Sequence, residues 1–479
     1  VRLQKCLFSV LAITLFCSAC FAAPSPAKQN SQEPKYLLFQ IFTYDGSGIF
    51  PPSGQLESTV DSIVSRIGAS GDQQHKLGFC AGPLTFNHSD EQIVQLIDQS
   101  FQIARKRNVA VAFHIDDQMF WDKRLDLLSN KENVEWSDWK GKPNTARRLD
   151  WSANPSKAPP QMCLNSASIQ AAIRTRAKLI GREIGKHLNQ LKSEGKDELF
   201  AGVIAGWETM IGKEFGSGKC LGYHALKNRG YSENNPGLHQ PQELAQVIRD
   251  HIELWAGQLE AQGIPGNRIY CHIAFTPQGF ERPDLTYEQG VGFATPDVAF
   301  DKNYRPGFST YPDGDSLLQI HSIVKTHGNV GWISAEGTNV VPNGMPGEPT
   351  MESYLAKMFN HGAVMVNIFS WGIGGERERN RNMFRRATES DEAISAYRKF
   401  LTGKPLKEAP PDANAFSPQF LRQKLDTIQR ELPLYVGRTG RRDLAESYMR
   451  KLDGLIKSNK FIEANAFADE VIKLLAEGR

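Results

Sequence analysis

From Tyr36 onward, short continuously apolar runs alternate with stretches whose apolar residues recur every three to four positions. Eight runs read as strands: 36–44 (YLLFQIFTY), 75–84 (HKLGFCAGPL), 109–117 (VAVAFHIDD), 199–207 (LFAGVIAGW), 268–275 (RIYCHIAF), 297–304 (DVAFDKNY, the weakest), 329–337 (NVGWISAEG) and 363–371 (AVMVNIFSW). Between them lie helical patterns. Ser89 and Gln92 have the spacing of a capping box, and Ile93, Leu96, Ile97, Phe101 and Ala104 follow on one face. Ile169, Ile173, Ala177, Ile180, Ile184, Leu188 and Leu191 mark a longer helix. Others fall near 242–262, at 350–361 with Gly362 as its stop, and at 391–401. Residues 118–160, rich in tryptophan and charge, form a long insertion of the kind that usually serves a site.

Strands without polar alternation are those of a parallel sheet buried on both faces. Eight such units over 36–405 predict a (β/α)8 TIM barrel, with a doubly wound open sheet as the alternative. No GxGxxG follows the first strand and no P-loop occurs, which weakens a nucleotide-binding reading. After 407–418 (KEAPPDANAFSP) strands cease, and helical segments are expected near 419–431, 442–457 and 460–476. Leu444, Tyr448, Leu452 and Leu455 form one apolar stripe, and Ile462, Ala466, Val471 and Leu475 another. Residues 406–479 are therefore expected to form a small C-terminal helical domain.

The first residues change the picture of where the chain works. Arg2 and Lys5 precede an apolar run, Leu7–Cys20, followed by small residues. This is a secretory signal pattern over 1–22, too short for a membrane span, with a linker at 23–35. Export is expected, and CSAC leaves lipid attachment at Cys20 as a rival reading. The formal net charge is +3, and about +1 without Arg2 and Lys5, so nothing favours nucleic acid or an anionic surface. Cys80 and Cys271 sit in strands and are expected as buried thiols; Cys163 and Cys220 lie in loop-like stretches and are expected to form a disulfide.

A barrel of this type carries its active site at the C-terminal ends of its strands. Those ends bring Tyr44, His114 with Asp116 and Asp117, Trp207 with Glu208, His272, Asn303 with Tyr304, Glu336 and Trp371 to one rim. Glu208 and Glu336 each follow a buried strand directly. Glycosidic cleavage needs such a pair, one carboxyl donating a proton and one carboxylate attacking or activating water. His114 and His272 read more readily as core histidines than as ligands, and Asp116 and Asp117 as sugar ligands or loop caps. Trp121, Trp136, Trp139 and Trp151 are candidate walls for stacked sugars, or simply the packing of a long loop. No HxH or HExxH occurs, so no metal site is expected.

Residues 36–405 resemble the clan A retaining β-glycosidases. The segment 332–338 (WISAEGT) is similar to the clan's nucleophile strand, and 205–209 (AGWET) matches its acid/base position. The resemblance implies Glu336 as nucleophile, Glu208 as acid/base, Trp371 as floor of the sugar site and Tyr304 as the tyrosine bonded to the nucleophile. It departs from the clan at Trp207, where asparagine is usual, and in the second strand, which lacks an arginine. A contact to the sugar 2-hydroxyl would then come from His272 or Asn303.

The reading is an exported glycoside hydrolase acting on a β-linked oligosaccharide or polysaccharide with retention, needing no cofactor. It expects carboxyls about 5–5.5 Å apart, Glu336 ionised and Glu208 protonated. A non-catalytic carbohydrate-binding barrel is one alternative. A barrel hydrolase of another bond, using His114 with Asp116 or Asp117, is the other.

Overall fold

The eight barrel strands are β1 (Lys35–Phe42), β2 (His75–Leu84), β3 (Ala110–Ile115), β4 (Phe200–Ala205), β5 (Ile269–Cys271), β6 (Gly307–Ser309), β7 (Trp332–Gly337) and β8 (Ala363–Ile368). They come from a computed structural model that describes residues 33–44, 55–149, 156–237, 240–274, 294–312, 316–340, 347–372, 383–409, 418–458 and 461–476. The leader at 1–22, Cys20 and Trp151 lie outside the described residues.

All pairings are parallel, in the order β5-β4-β3-β2-β1-β8-β7-β6. The ring closes between β5 and β6 through parallel bridges Tyr270–Arg305 and Ile273–Phe308. The Ile273 amide donates to the Gly307 carbonyl at 2.9 Å, and the Ser309 amide to Ile273 at 3.1 Å. Gly307 makes this seam possible: a Cβ there would stand 2.1 Å from the Cys271 carbonyl oxygen. The open-sheet alternative is thereby excluded.

Around the strands stand α1 (Gln55–Ile67), α2 (Asp90–Arg107), α3 (Ala167–Glu194), α4 (Gln240–Glu260), α5 (Ser316–Thr326), α6 (Met351–Phe359) and α7 (Asp391–Leu401). The Ser89–Gln92 capping box opens α2 with both reciprocal bonds present. Each strand buries two faces because its alternate residues go to different cores. In β1, Tyr36 and Leu38 face the barrel interior with Ile204, Tyr270 and Ile333. Leu37, Phe39 and Ile41 meet the helices. That double burial is the physical reason for unbroken apolar runs.

The sixth strand differs from expectation. Residues 297–304 hold a 3-10 turn, Pro296–Ala299, and a loop; the strand is the three-residue Gly307–Ser309 beyond Pro306. Val298 and Tyr304 are buried but extend no sheet. The fifth strand is also shorter than the expected 268–275.

The insertion after β3 holds a short helix, Leu125–Leu128. Its strands Arg147–Leu149 and Ser156–Ala158 pair antiparallel with each other, and Arg147–Leu149 also pairs with Lys213–Glu214 from beyond β4. The chain ends in α8 (Pro418–Thr439), α9 (Arg442–Lys457) and α10 (Phe461–Ala476). These helices share an apolar cluster of their own that includes Ile428, Tyr435, Leu452, Phe467 and Val471. Among the described residues no helix is long and apolar enough to cross a membrane.

Candidate active site

The turn leaving β4 is tight and its geometry is fixed from below. Gly206 has φ 99°, and Glu208 itself has φ 50°, a left-handed conformation that side-chain-bearing residues rarely hold without a reason. A Cβ on Gly206 would lie 2.2 Å from Thr209 Oγ1. Asp117 clamps the turn: it accepts from the Trp207 amide at 3.3 Å, from Thr209 Oγ1 at 2.8 Å, and pairs with His251 Nε2 of α4 at 2.9 Å. The turn thus presents Glu208 at the mouth, where it is only 7% exposed.

Glu336 ends β7 across the mouth and is likewise 7% exposed. The Tyr311 hydroxyl donates to its Oε1 at 2.8 Å. Its Oε2 makes no hydrogen bond of good geometry, and the Trp207 side chain supplies a further, poorly aligned donor. Burial first, then the facing Glu208 charge, push the Glu336 carboxyl up to about 8, against the pull of Tyr311 and Trp207. Such a pair binds one proton between its members near neutral pH.

Below the pair runs a line of polar side chains inside the barrel, fully buried from Gln40 to His272 and half-buried at Ser309. Ser309 Oγ of β6 lies 2.6 Å from Glu208 Oε1 and 2.8 Å from His272 Nε2. His272 Nδ1 lies 3.1 Å from His114 Nε2, and His114 Nδ1 lies 3.2 Å from Gln40 Oε1. The Asn367 amide donates to the same Gln40 oxygen at 2.9 Å. Burial pushes His272 down to about 3 and His114 well below its usual range. His114 also stacks flat against Trp207, with ring centroids 3.9 Å apart.

Several expected ligands therefore sit beneath or beside the mouth. His114 and His272 are interior groups. Asp116 caps the loop after β3, accepting from the amides of Gln118, Met119 and Phe120. Burial and the neighbouring Asp117 push Asp116 up to about 6. With Asp117 committed to the β4 turn, neither aspartate combines with His114 as a hydrolytic pair. Tyr44 is buried against His88 and Phe120, and its hydroxyl accepts from Asn87 Nδ2 at 2.8 Å.

Three placements are corrections. Asn303 and Tyr304 precede β6, so they stand at the strand's entry, away from the mouth; the Tyr304 hydroxyl donates to the Val298 carbonyl at 2.7 Å. Tyr311, two residues past β6, makes the bond to Glu336 assigned to Tyr304. Trp371 turns outward to the helices: its indole donates to Ser62 Oγ of α1 at 3.3 Å and its ring meets Phe39 edge-on at 5.2 Å. Phe369, which precedes a cis Phe369–Ser370 peptide, is in contact with Phe42 and Tyr311. Phe42 in turn stacks with Trp207 at 5.9 Å.

The insertion tryptophans hold their loop. Trp121 donates to the Pro160 carbonyl at 2.9 Å, Trp136 stacks on His224 at 4.0 Å, and Trp139 meets Tyr223 edge-on. The insertion instead delivers a residue not expected from the sequence. Arg147 is fully buried, donates to Gln161 Oε1 at 3.3 Å, and feels the charges of Asp116, Asp117 and Glu208.

Cys80, Cys163, Cys220 and Cys271 are all buried and in no disulfide, so the expected Cys163–Cys220 disulfide is absent. Cys163 Sγ instead lies 3.3 Å from Asn165 Oδ1. Among the described residues no cluster of three histidine, cysteine or carboxylate side chains is placed to hold a metal ion.

No family model matches the chain, and no curated protein matches it in sequence. Among solved structures it is similar to the catalytic domain of the β-amylase from Paenibacillus polymyxa, with TM-score 0.49 and 9% identity over 78% of this chain and 100% of that one. It is also similar to the β-galactosidase from the psychrophilic Marinomonas ef1, with TM-score 0.47 and 11% identity over 83% of this chain. A third is the endo-1,4-β-D-mannanase from Thermotoga petrophila, with TM-score 0.42 and 8% identity over 77% of this chain and 99% of that one. The chain spans 60% of the length of the β-galactosidase.

Proposed function

We propose that the protein is an exported glycoside hydrolase that cleaves a β-linked oligosaccharide or polysaccharide with retention of configuration. The observation that carries the reading is the buried carboxyl pair, Glu208 from β4 and Glu336 from β7, each raising the cost of a second charge at one barrel mouth. Glycosidic cleavage uses two carboxyls in different protonation states. The Glu336 carboxylate attacks the anomeric carbon as the glycosidic C–O bond breaks, and the Glu208 proton passes to the leaving oxygen. Water then attacks the glycosyl–Glu336 ester; Glu208 takes the water proton and Glu336 leaves as carboxylate. Trp207, Phe42 and Phe369 supply apolar surface for a pyranose face, and Arg147 keeps compensating positive charge near the site. The leader at 1–22 supports export, and 406–479 is read as an appended helical domain.

The test is a panel of aryl β-glycosides, with the anomeric configuration of the first-formed product read by proton NMR. Retention is expected. Glu336→Ala should abolish turnover, and azide should restore it as a glycosyl azide of opposite configuration. No turnover across the panel, with sugar binding intact, would leave a carbohydrate-binding barrel; normal activity in Glu336→Ala would end the assignment.

A further inference from the structure

The line from Gln40 to Glu208 has a proton count that decides its state. Its four links are Gln40–His114, His114–His272, His272–Ser309 and Ser309–Glu208, at 3.2, 3.1, 2.8 and 2.6 Å. Each link needs one hydrogen. Both ends accept: Gln40 Oε1 is fixed as an acceptor, because Gln40 Nε2 faces the carbonyls of Cys80 and Gly82 at 3.3 and 3.1 Å, and Asn367 donates to the oxygen. A Glu208 carboxylate is also an acceptor. Two neutral imidazoles and one serine hydroxyl bring three hydrogens to four links. With Glu208 ionised, one link must face lone pair against lone pair.

One further proton completes the line. If it sits on Glu208, the carboxyl donates to Ser309, Ser309 to His272, His272 Nδ1 to His114 Nε2, and His114 Nδ1 to Gln40. The alternative is an imidazolium in the line, with Glu208 ionised. The Gly206 carbonyl, 3.1 Å from His114 Nε2, would accept such a proton. Both rings are wholly buried, however, and burial opposes their charged forms.

We infer that Gln40, His114, His272 and Ser309 form a proton-holding relay whose one vacant hydrogen position keeps Glu208 protonated in the resting protein. The inference rests on the glycosidase reading for its purpose but not for its measurement. These four are positioning residues that act through Glu208. Other charged or titratable groups also bear on Glu208: Glu336 from β7, Tyr311 after β6, and Arg147 from the insertion. Glu336 favours the proton on Glu208, and Arg147 opposes it. The relay supplies a bias that does not depend on either. In turnover, Glu208 gives its proton to the leaving oxygen and the line is left one hydrogen short. It is refilled when the attacking water, adding hydroxide to the anomeric carbon, yields its proton to Glu208. The same deficit that makes Glu208 an acid at rest makes it a base in the second step.

The direction of one substitution separates this relay from an ordinary bond. Were Ser309 merely donating to a Glu208 carboxylate, removing its hydroxyl would raise the pH at which Glu208 ionises. In the relay, the protonated form loses more, so Ser309→Ala should lower that pH, by about one unit, and Ser309→Thr should restore it. Gln40→Met removes the far acceptor, leaving three hydrogens for three links, and should lower the same midpoint from the opposite end. The measurement is the carbon-13 carboxyl titration of glutamate-labelled full-length protein, with Glu208 assigned by its disappearance in Glu208→Gln. A rise or no change in Ser309→Ala would overturn the relay, whatever the behaviour of Gln40→Met. A fall in Ser309→Ala with an unmoved midpoint in folded Gln40→Met would also overturn it, by confining the effect to one bond. If Gln40→Met does not fold, His114→Phe, which also removes the far acceptor's partner, takes its place with the same expectation. Titrations that move as expected in a protein that cleaves no glycoside would sink the glycosidase reading and leave the relay standing. Retention with azide rescue but unmoved titrations would do the reverse.

Discussion

The Tyr311 hydroxyl donates to Glu336 Oε1 at 2.8 Å, from a position two residues beyond the three-residue strand β6. Tyr311 holds the carboxyl in one orientation and favours its ionised form against burial. Tyr311→Phe should therefore move the acidic limb of kcat/KM upward by about one pH unit and lower kcat by about 10²-fold, the lower end of what one preorganised donor supplies. An unmoved limb on an active glycoside would detach Tyr311 from the nucleophile role of Glu336.

Stability should fall as the buried acids are forced to ionise. Burial raises Glu336 to about 8, Glu135 to about 7 and Asp116 to about 6. Each binds its proton more tightly folded than unfolded, so its contribution is complete below the ordinary carboxylate range and is lost as pH climbs through the folded value. The melting temperature should decline between about pH 5 and 8. Glu336→Gln should flatten the upper part of that decline and be more stable at pH 8 by about 1–2 kcal/mol, as for other strained active-site groups. Circular dichroism melts at several pH values check both.

Asp117 should matter more than its distance from any substrate suggests. It is wholly buried and bonds the Trp207 amide, Thr209 and His251. Asp117→Ala leaves those partners unmatched and should cost about 3–5 kcal/mol. Asp117→Asn keeps the shape but loses the charge opposite His251. It should fold, with kcat reduced more than KM is raised, because Glu208 rides on the turn Asp117 ties down.

Two aromatic substitutions should part company. Trp371→Ala empties a site between Phe39 and α1 and should lower stability by about 3–5 kcal/mol without a specific effect on sugar affinity. Phe369→Ala should weaken sugar binding while melting close to the wild type. Calorimetric binding of the hydrolysis product, beside thermal melts, distinguishes them.

Cysteine chemistry should be silent in the folded protein. Cys80, Cys163, Cys220 and Cys271 are buried and in no disulfide. A thiol reagent should find none of these four accessible in the native state and all four after unfolding without reductant. Two equivalents fewer would restore the disulfide.

The barrel was legible where a strand is long enough to bury both faces: β2, β3, β4, β7 and β8 fall within their apolar runs, β1 begins one residue before its own, and the two glutamates follow from β4 and β7. The sixth strand was not, because Gly307, Phe308 and Ser309 are too few to show a pattern, while Val298 and Tyr304 imitate one by packing a 3-10 turn. That single displacement moved the tyrosine assignment from Tyr311 to Tyr304. The sequence also could not say which way Trp371 turns, since a residue past the end of a strand is released from the alternation that fixes the others. Arg147 was hidden for a different reason: its insertion has no period, and only the short sheet with Lys213–Glu214 brings it under the mouth. The line to Gln40 joins residues of β1, β3 and β6 with others just past the ends of β4 and β5, a contact set no local pattern reports.

One short strand tunes both carboxyls. Ser309 reaches Glu208 and Tyr311 reaches Glu336, and both hang from the seam where β6 meets β5 through two bridges. Elements with few backbone bonds open at lower free energy than the body that carries them. Warming should therefore detune the acid and the nucleophile together while the rest of the barrel stays folded. The protein would lose its activity at a lower temperature than its structure, and would regain it on cooling.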